Sequence, residues 1–124
     1  MDLSTGMLDE ARAKGCYNDF RQMTLGDHLD FQSGTYDAVI SVGVFTPGHA
    51  PPQAFEELCR VTKSGGHVVF SLRPDAHVEL GFKEQQEKMV ADGDWNLVSV
   101  TEPFAALPKG EPDVMHQVWV YRVP

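Results

Sequence analysis

The chain is poor in several things at once. It has two cysteines, Cys16 and Cys59, in 124 residues. A secreted disulfide scaffold of this size carries more, so both read as reduced thiols of an intracellular protein. Basic residues number 10 against 18 acidic ones, for a formal charge of −8, and they stand singly. Phosphate neutralisation needs clustered Lys and Arg, which argues against nucleic acid as the main partner. No apolar run approaches the ~20 residues needed to span a bilayer, so no membrane association is expected. Met1-Asp2-Leu3-Ser4 has neither the basic flank nor the apolar stretch of a signal peptide. The expected location is the cytoplasm. The five histidines are not spaced as ligand pairs on one face, so no metal site is expected. Repeats and low-complexity stretches are lacking too.

What is present is a globular composition, 42% hydrophobic and 23% charged. One domain over residues 1–124 can bury about two-thirds of its unfolded surface and hold a core without staples. Thr5 to Lys14 reads as a helix, with Ser4 as N-cap and Gly15 just past the end. Phe20 to Leu25 is a weak strand, and Gln32 to Thr35 a turn. Tyr36 to Val42 is a strong strand whose near-continuous apolar residues suit a parallel sheet covered on both faces. Thr46 to Pro52 is a proline-rich loop. Gln53 to Thr62 is a helix with Phe55, Leu58, Cys59 and Val61 facing a core, stopped by Ser64-Gly65-Gly66. His67 to Leu72 is a second strong strand, broken by Arg73-Pro74-Asp75. Val78 to Ala91 is an amphipathic helix ended by Asp92-Gly93-Asp94. Trp95 to Glu102 and Val114 to Arg122 partly alternate, as an antiparallel pair at a sheet edge does. Strands alternating with helices predict an α/β sheet of the doubly wound kind, closed by a C-terminal antiparallel hairpin.

Three stretches in order carry a resemblance. They are Tyr36-Asp37-Ala38-Val39-Ile40-Ser41-Val42-Gly43, Ala54-Phe55-Glu56-Glu57-Leu58-Cys59-Arg60-Val61, and Lys63-Ser64-Gly65-Gly66-His67-Val68-Val69-Phe70-Ser71. With the opening Asp2-Leu3-Ser4-Thr5-Gly6-Met7-Leu8-Asp9-Glu10-Ala11, the chain resembles the class I S-adenosylmethionine-dependent methyltransferases over essentially its whole length. Val42-Gly43-Val44-Phe45, His49-Ala50-Pro51-Pro52-Gln53-Ala54 and Gly93-Asp94-Trp95 look most like the methyltransferase-like proteins of the Williams–Beuren region 27 group. The resemblance implies a Rossmann-like sheet of order 3-2-1-4-5-7-6, of which this chain carries strands 3 to 7. The glycine-rich turn that cradles the cofactor's methionine part is absent, since no G-x-G occurs in the chain. The sequence therefore reads as the C-terminal part of such a domain.

The resemblance also implies roles. Asp2 matches the carboxylate that accepts hydrogen bonds from the cofactor ribose; its bland alternative is a solvated terminus. Leu3 and Met7 match positions near the adenine, with core packing as the alternative. Asp27-His28 matches the pair that contacts the adenine, while a second alignment puts Thr24-Leu25 there. Ser41 and Val42 match the cofactor-lining end of the fourth strand. Phe45 and His49 match the substrate side. The cofactor implied is S-adenosylmethionine, with binding by this chain in doubt, and the acceptor a small molecule. No general base or other catalytic residue stands out. Activity of this chain alone is expected to be weak or nil, and the alternative is a non-catalytic oligomerising remnant of the fold. A nicotinamide enzyme is disfavoured because no G-x-G-x-x-G fingerprint occurs. Without strands 1 and 2, strand 4 becomes an apolar edge. Either strand 3 slides across to pair with it, or two copies form a homodimer through the strand 3/strand 4 region, and the homodimer is the outcome expected.

Overall fold

The structure is a computed structural model, described here for residues 1–46 and 48–124. The expected loop from Thr46 to Pro52 includes Pro47, which lies outside the described residues. Helix α1 spans Thr5–Lys14. The Ser4 hydroxyl accepts the Met7 N–H at 3.3 Å, and Gly15 ends the helix at φ 67°, a conformation that favours glycine. α1 buries only Leu8.

Strand β1 (Tyr36–Phe45), helix α2 (Ala54–Val61) and strand β2 (Thr62–Leu72) follow. β2 starts five residues earlier than the sequence pattern predicts. Tyr36 pairs with Thr62, but Ala38 already pairs with His67, so Lys63 to Gly66 bulge out of the ladder. Gly66 sits at the tightest point. A Cβ there would lie 2.5 Å from the Asp37 carbonyl oxygen. Ser64-Gly65-Gly66, read as the stop after the helix, is therefore an irregularity inside a strand.

The helix expected over Val78 to Ala91 is two helices, α3 (Pro74–Glu79) and α4 (Phe82–Ala91). Pro74 suits a first helical turn, where its missing N–H costs nothing, so helix starts earlier than predicted. Gly81 at φ 82° then breaks the run. Strands β3 (Asn96–Val100) and β5 (Met115–Arg122) pair antiparallel as expected, and a two-residue strand, β4 (Phe104–Ala105), adds to β5.

The sheet order is β1-β2-β5-β3, the 4-5-7-6 part of the order that the resemblance implies. β1 and β2 are parallel, while β5 is antiparallel to β2 and β3. Phe20 to Leu25 is not a strand. Besides a local bridge from Leu25 to Asp27, it makes one isolated parallel bridge to a distant segment, Asp2 to Gln22, in which Asp2 N–H donates to the Arg21 carbonyl at 3.1 Å and Met23 N–H donates to the Asp2 carbonyl at 3.2 Å. Its partner is only the few residues before α1, too short for a ladder. It has not slid across to β1, whose only strand partner among the described residues is β2.

The core lies between one sheet face and helices α2, α3 and α4. Val68, Phe70 and Leu72 from β2 meet Phe55 and Leu58 of α2, Ala76 of α3, and Phe82 and Met89 of α4. Trp95 stacks on Tyr121 with ring centroids 3.9 Å apart, and Phe55 lies 4.5 Å from Phe70. The polar tips inside are partly paired: Gln86 Nε2 donates to the Tyr121 hydroxyl at 2.9 Å, and Trp95 Nε1 donates to the Gln86 carbonyl at 3.2 Å. The other face of β1 is bare. Ile40 is 70% exposed and Val42 72%, so the strand expected to be covered on both faces is covered on one.

Candidate cofactor-side cleft

Among the described residues β1 has a strand neighbour, β2, on one edge only. Strand geometry then directs the N–H and C=O of alternate residues away from β2. They face a cleft of about 970 Å³. Its far wall is the bridged pair of segments around Met1 to Leu3 and Arg21 to Leu25, its floor includes Leu29, Leu58 and Val61, and its end near Phe45 carries Gly48, His49 and Ala50. The lining is mostly apolar. Its charged side chains are Asp2 and the pair Asp19–Arg21, whose charged atoms lie 3.0 Å apart. Hydrogen bonding from Arg21 holds the Asp19 carboxyl below its ordinary range.

The residues singled out in the sequence divide around this cleft. Asp2, Leu3, Ser41, Val42 and His49 line it. The Asp2 carboxylate accepts the Ser4 N–H at 2.8 Å, which fixes the carboxyl beside the start of α1. Ser41 is buried, and Val42 is exposed. Thr46 Oγ1 and His49 Nδ1 lie 2.8 Å apart, holding the imidazole against its own loop. Met7, Asp27 and His28 are not on the lining. Met7 is exposed on α1. Asp27 N–H closes a turn on the Thr24 carbonyl at 3.3 Å. His28 Nδ1 lies 3.1 Å from Glu57 Oε1 and turns toward α2. Thr24 and Leu25, from the second alignment, do line the cleft. Phe45 is fully buried and packs against Phe55, Phe70 and Phe82 at 4.7, 5.8 and 5.6 Å. Its ring is core rather than a substrate-side surface, because β1 continues past Val42 and carries it under α2.

One group of residues that matters here was read in the sequence only for its apolar neighbours. Glu57 and Arg60, at i,i+3 on α2, clamp the segment that forms the cleft floor. Arg60 donates to the carbonyls of Phe31 at 2.8 Å and Leu29 at 2.9 Å, and to Ser33 Oγ at 3.3 Å. Glu57 Oε1 accepts the Leu29 N–H at 2.6 Å. The Arg60 hydrogen bond holds the Glu57 carboxyl below its ordinary range, against the opposing effect of burial. The signal available in the sequence was the Glu-x-x-Arg spacing itself. Its carbonyl partners are almost 30 residues away and no pattern announces them.

Whether these residues fit S-adenosylmethionine can be tested on the donor set. On the side that the resemblance assigns to the ribose, the cleft has the Asp2 carboxylate and the apolar Leu3. The opposite wall is an unpaired strand edge with no glycine-rich turn, and Met7, Asp27 and His28 point elsewhere. Such a set would serve at most one side of a nucleoside and offers no cradle for the amino-acid end. The residues present do not fit the whole cofactor. Among the described residues no group of His, Cys, Asp and Glu is placed to hold a metal ion. No helix among them is long and apolar enough to cross a membrane.

An open α/β sheet with a cleft along the free edge of its parallel pair does not by itself fix a chemistry. The family is settled by sequence: a methyltransferase-domain family model matches residues 1–70, and the chain belongs to that family. Human methyltransferase-like protein 27 is 41% identical over 88 residues, which is 70% of this chain and 35% of that protein. The chain thus spans about a third of the length of the curated relative it matches. A Listeria monocytogenes protein described as an S-adenosylmethionine-dependent methyltransferase superposes with a TM-score of 0.75 at 15% identity, over 98% of this chain and 78% of that one. The cyclase SpnF superposes with a TM-score of 0.69 at 16% identity, over 98% of this chain and 64% of that one. Likeness at such identities shows the fold alone. The cyclase among these neighbours makes the point that the fold does not fix the reaction.

Proposed function

We propose that this chain supplies the ribose-side wall and the acceptor-side end of β1 in a methyltransferase that moves a methyl group from S-adenosylmethionine to a small molecule, and that residues 1–124 alone do so weakly or not at all. Family membership supports the donor. The observation that carries the second half is the cleft, which opens along an unpaired strand edge where a cofactor cradle is needed. Methyl transfer from a sulfonium asks mainly for alignment and exclusion of water. A site open along one wall provides neither. The charge of −8 and the scattered basic residues favour a small acceptor over a nucleic acid.

Isothermal titration of the chain with S-adenosylmethionine tests this reading. The expected result is no saturable heat in the micromolar range. Micromolar binding overturns the inactive half of the proposal. A second reading, a non-catalytic remnant that associates through β1, is favoured by the exposed Ile40 and Val42. It requires a concentration-dependent dimer in light scattering, and a monomer at micromolar concentration removes it.

A further inference from the structure

The corner where α3 meets β5 stands apart from the cleft, since β2 lies between β5 and β1. α3 is a short element between two backbone constraints. Pro74 presets its first turn, and Gly81, at φ 82°, follows it in a conformation that favours glycine. Ala76 is the one fully buried residue of this helix and joins the core, while Val78, Glu79 and the following Leu80 are exposed. His77 is half-buried, and its ring lies 4.8 Å from that of Trp119 on β5. One methyl group in the core and one imidazole on the sheet therefore hold much of this helix in place.

The chemistry of this contact opposes a charge. Gln86 of α4 is 2% exposed, and its Oε1 has no partner at hydrogen-bonding geometry among the described residues; the same holds for the buried Nε1 of Trp119. Buried polar atoms left unpaired cost free energy that contact with water recovers. Burial also holds the imidazole of His77 below its ordinary value of 6.5; Lys83 of α4 adds to this, and Glu84, Glu87 and the Gln86 amide of the same helix oppose it. From β5 the imidazole meets the Trp119 ring. A proton on His77 thus places a charge in a contact that already carries two unsatisfied atoms. We infer that α3 is a strap closed by the neutral imidazole of His77 against Trp119, and that protonation of His77 releases it about Gly81. Release brings Trp119 Nε1 and Gln86 Oε1 to water, while α4 stays packed on Phe82 and Met89. The closed strap binds its proton less readily than the released one, so it is fully stable above about pH 6.5 and loses stability as pH falls below that value. The inference goes beyond the methyl-transfer reading, and its test needs no cofactor, so either fails without the other.

The test follows amide exchange of the full chain at about pH 7.5 and about pH 5.5, corrected for intrinsic rates, with residues 84–91 as the internal reference. Exchange in residues 75–81 is expected to accelerate about three- to tenfold relative to that reference, about tenfold being the limit for a released imidazole that titrates at its ordinary value. His77→Phe keeps a ring against Trp119 and takes up no proton, so its residues 75–81 exchange at the same corrected rate at both pH values. A second measurement is independent of that variant. In NMR spectra of the unaltered chain, the His77 ring is expected to titrate below 6.5, with the Trp119 indole N–H signal moving at the same midpoint. A His77 ring that titrates at 6.5 or above overturns the inference. So does an acceleration that is absent, that residues 84–91 share equally, or that persists in His77→Phe.

Discussion

The two ends of the chain use their apolar residues in opposite ways. From Ala54 onward the helices and β2 and β5 close on Phe55, Phe70, Phe82, Trp95 and Tyr121, and the largest of these side chains are fully buried. Before Phe45 the buried apolar side chains are Leu8 and Leu29, while Leu3, Met7, Tyr17, Ile40 and Val42 are exposed. The first region holds itself together by packing. In the second, β1 is held by its ladder with β2, and the segment before it by Arg60, which donates to the Leu29 and Phe31 carbonyls, and by Glu57, which accepts the Leu29 N–H. A segment tied by polar contacts to an apolar cleft opens at lower free energy than the core beside it.

The contrast breaks most sharply in the core. Phe55→Ala removes a ring that touches Phe45, Phe70, Phe82 and Trp95 and is expected to cost about 3–5 kcal/mol, read as a lower midpoint in urea denaturation. Gly66→Ala comes next. Its methyl group meets the carbonyls of Asp37 and Lys63 at 2.5 and 2.9 Å, and backbone cannot rotate away. A loss of about 1–3 kcal/mol is expected, visible as a lower Tm, and an unchanged Tm refutes the tight β1–β2 approach.

The polar clamp is probed by pH. The folded Glu57 carboxyl titrates below its ordinary value of 4.5 because Arg60 donates to it. Its stabilising contribution is fully present above about pH 4.5 and is lost as pH falls through the lower, folded value. Amide exchange in residues 29–35, corrected for intrinsic rates, is expected to accelerate in that acidic window before the core opens. In Glu57→Gln this early acceleration disappears. Val42→Lys, on the bare face, is expected to change stability by no more than about 0.5 kcal/mol; a larger loss shows that the face is covered in solution. The cysteines sharpen the comparison without touching stability. Burial pushes the Cys59 thiol on α2 up to about 12, whereas Cys16 is exposed. At pH 8, iodoacetamide followed by mass spectrometry is expected to mark Cys16 and spare Cys59. Equal labelling refutes the packed environment of α2.

Legibility in the sequence follows the same division. β1, α2, the apolar part of β2 and the antiparallel pair β3–β5 could be read because periodicity and turn residues report local burial. The break at Gly81 could not, since one glycine inside an amphipathic pattern is tolerated or not according to packing. Phe20 to Leu25 has the composition of a strand and forms only isolated bridges, because a strand is made by its neighbour and not by its residues. On the candidate site, the sequence placed Asp2, Leu3, Ser41, Val42 and His49 near one another. It did not separate Thr24-Leu25, which line the cleft, from Asp27-His28, which turn away.

The 124 residues by themselves determined a methyltransferase-type sheet without its glycine-rich turn, since both are matters of residue type and order. Tertiary structure alone decided that Phe45 is core and that Arg60 grips carbonyls 29 and 31 residues before it. Each depends on which segments meet, and that is fixed by packing across the chain, where local pattern carries no information.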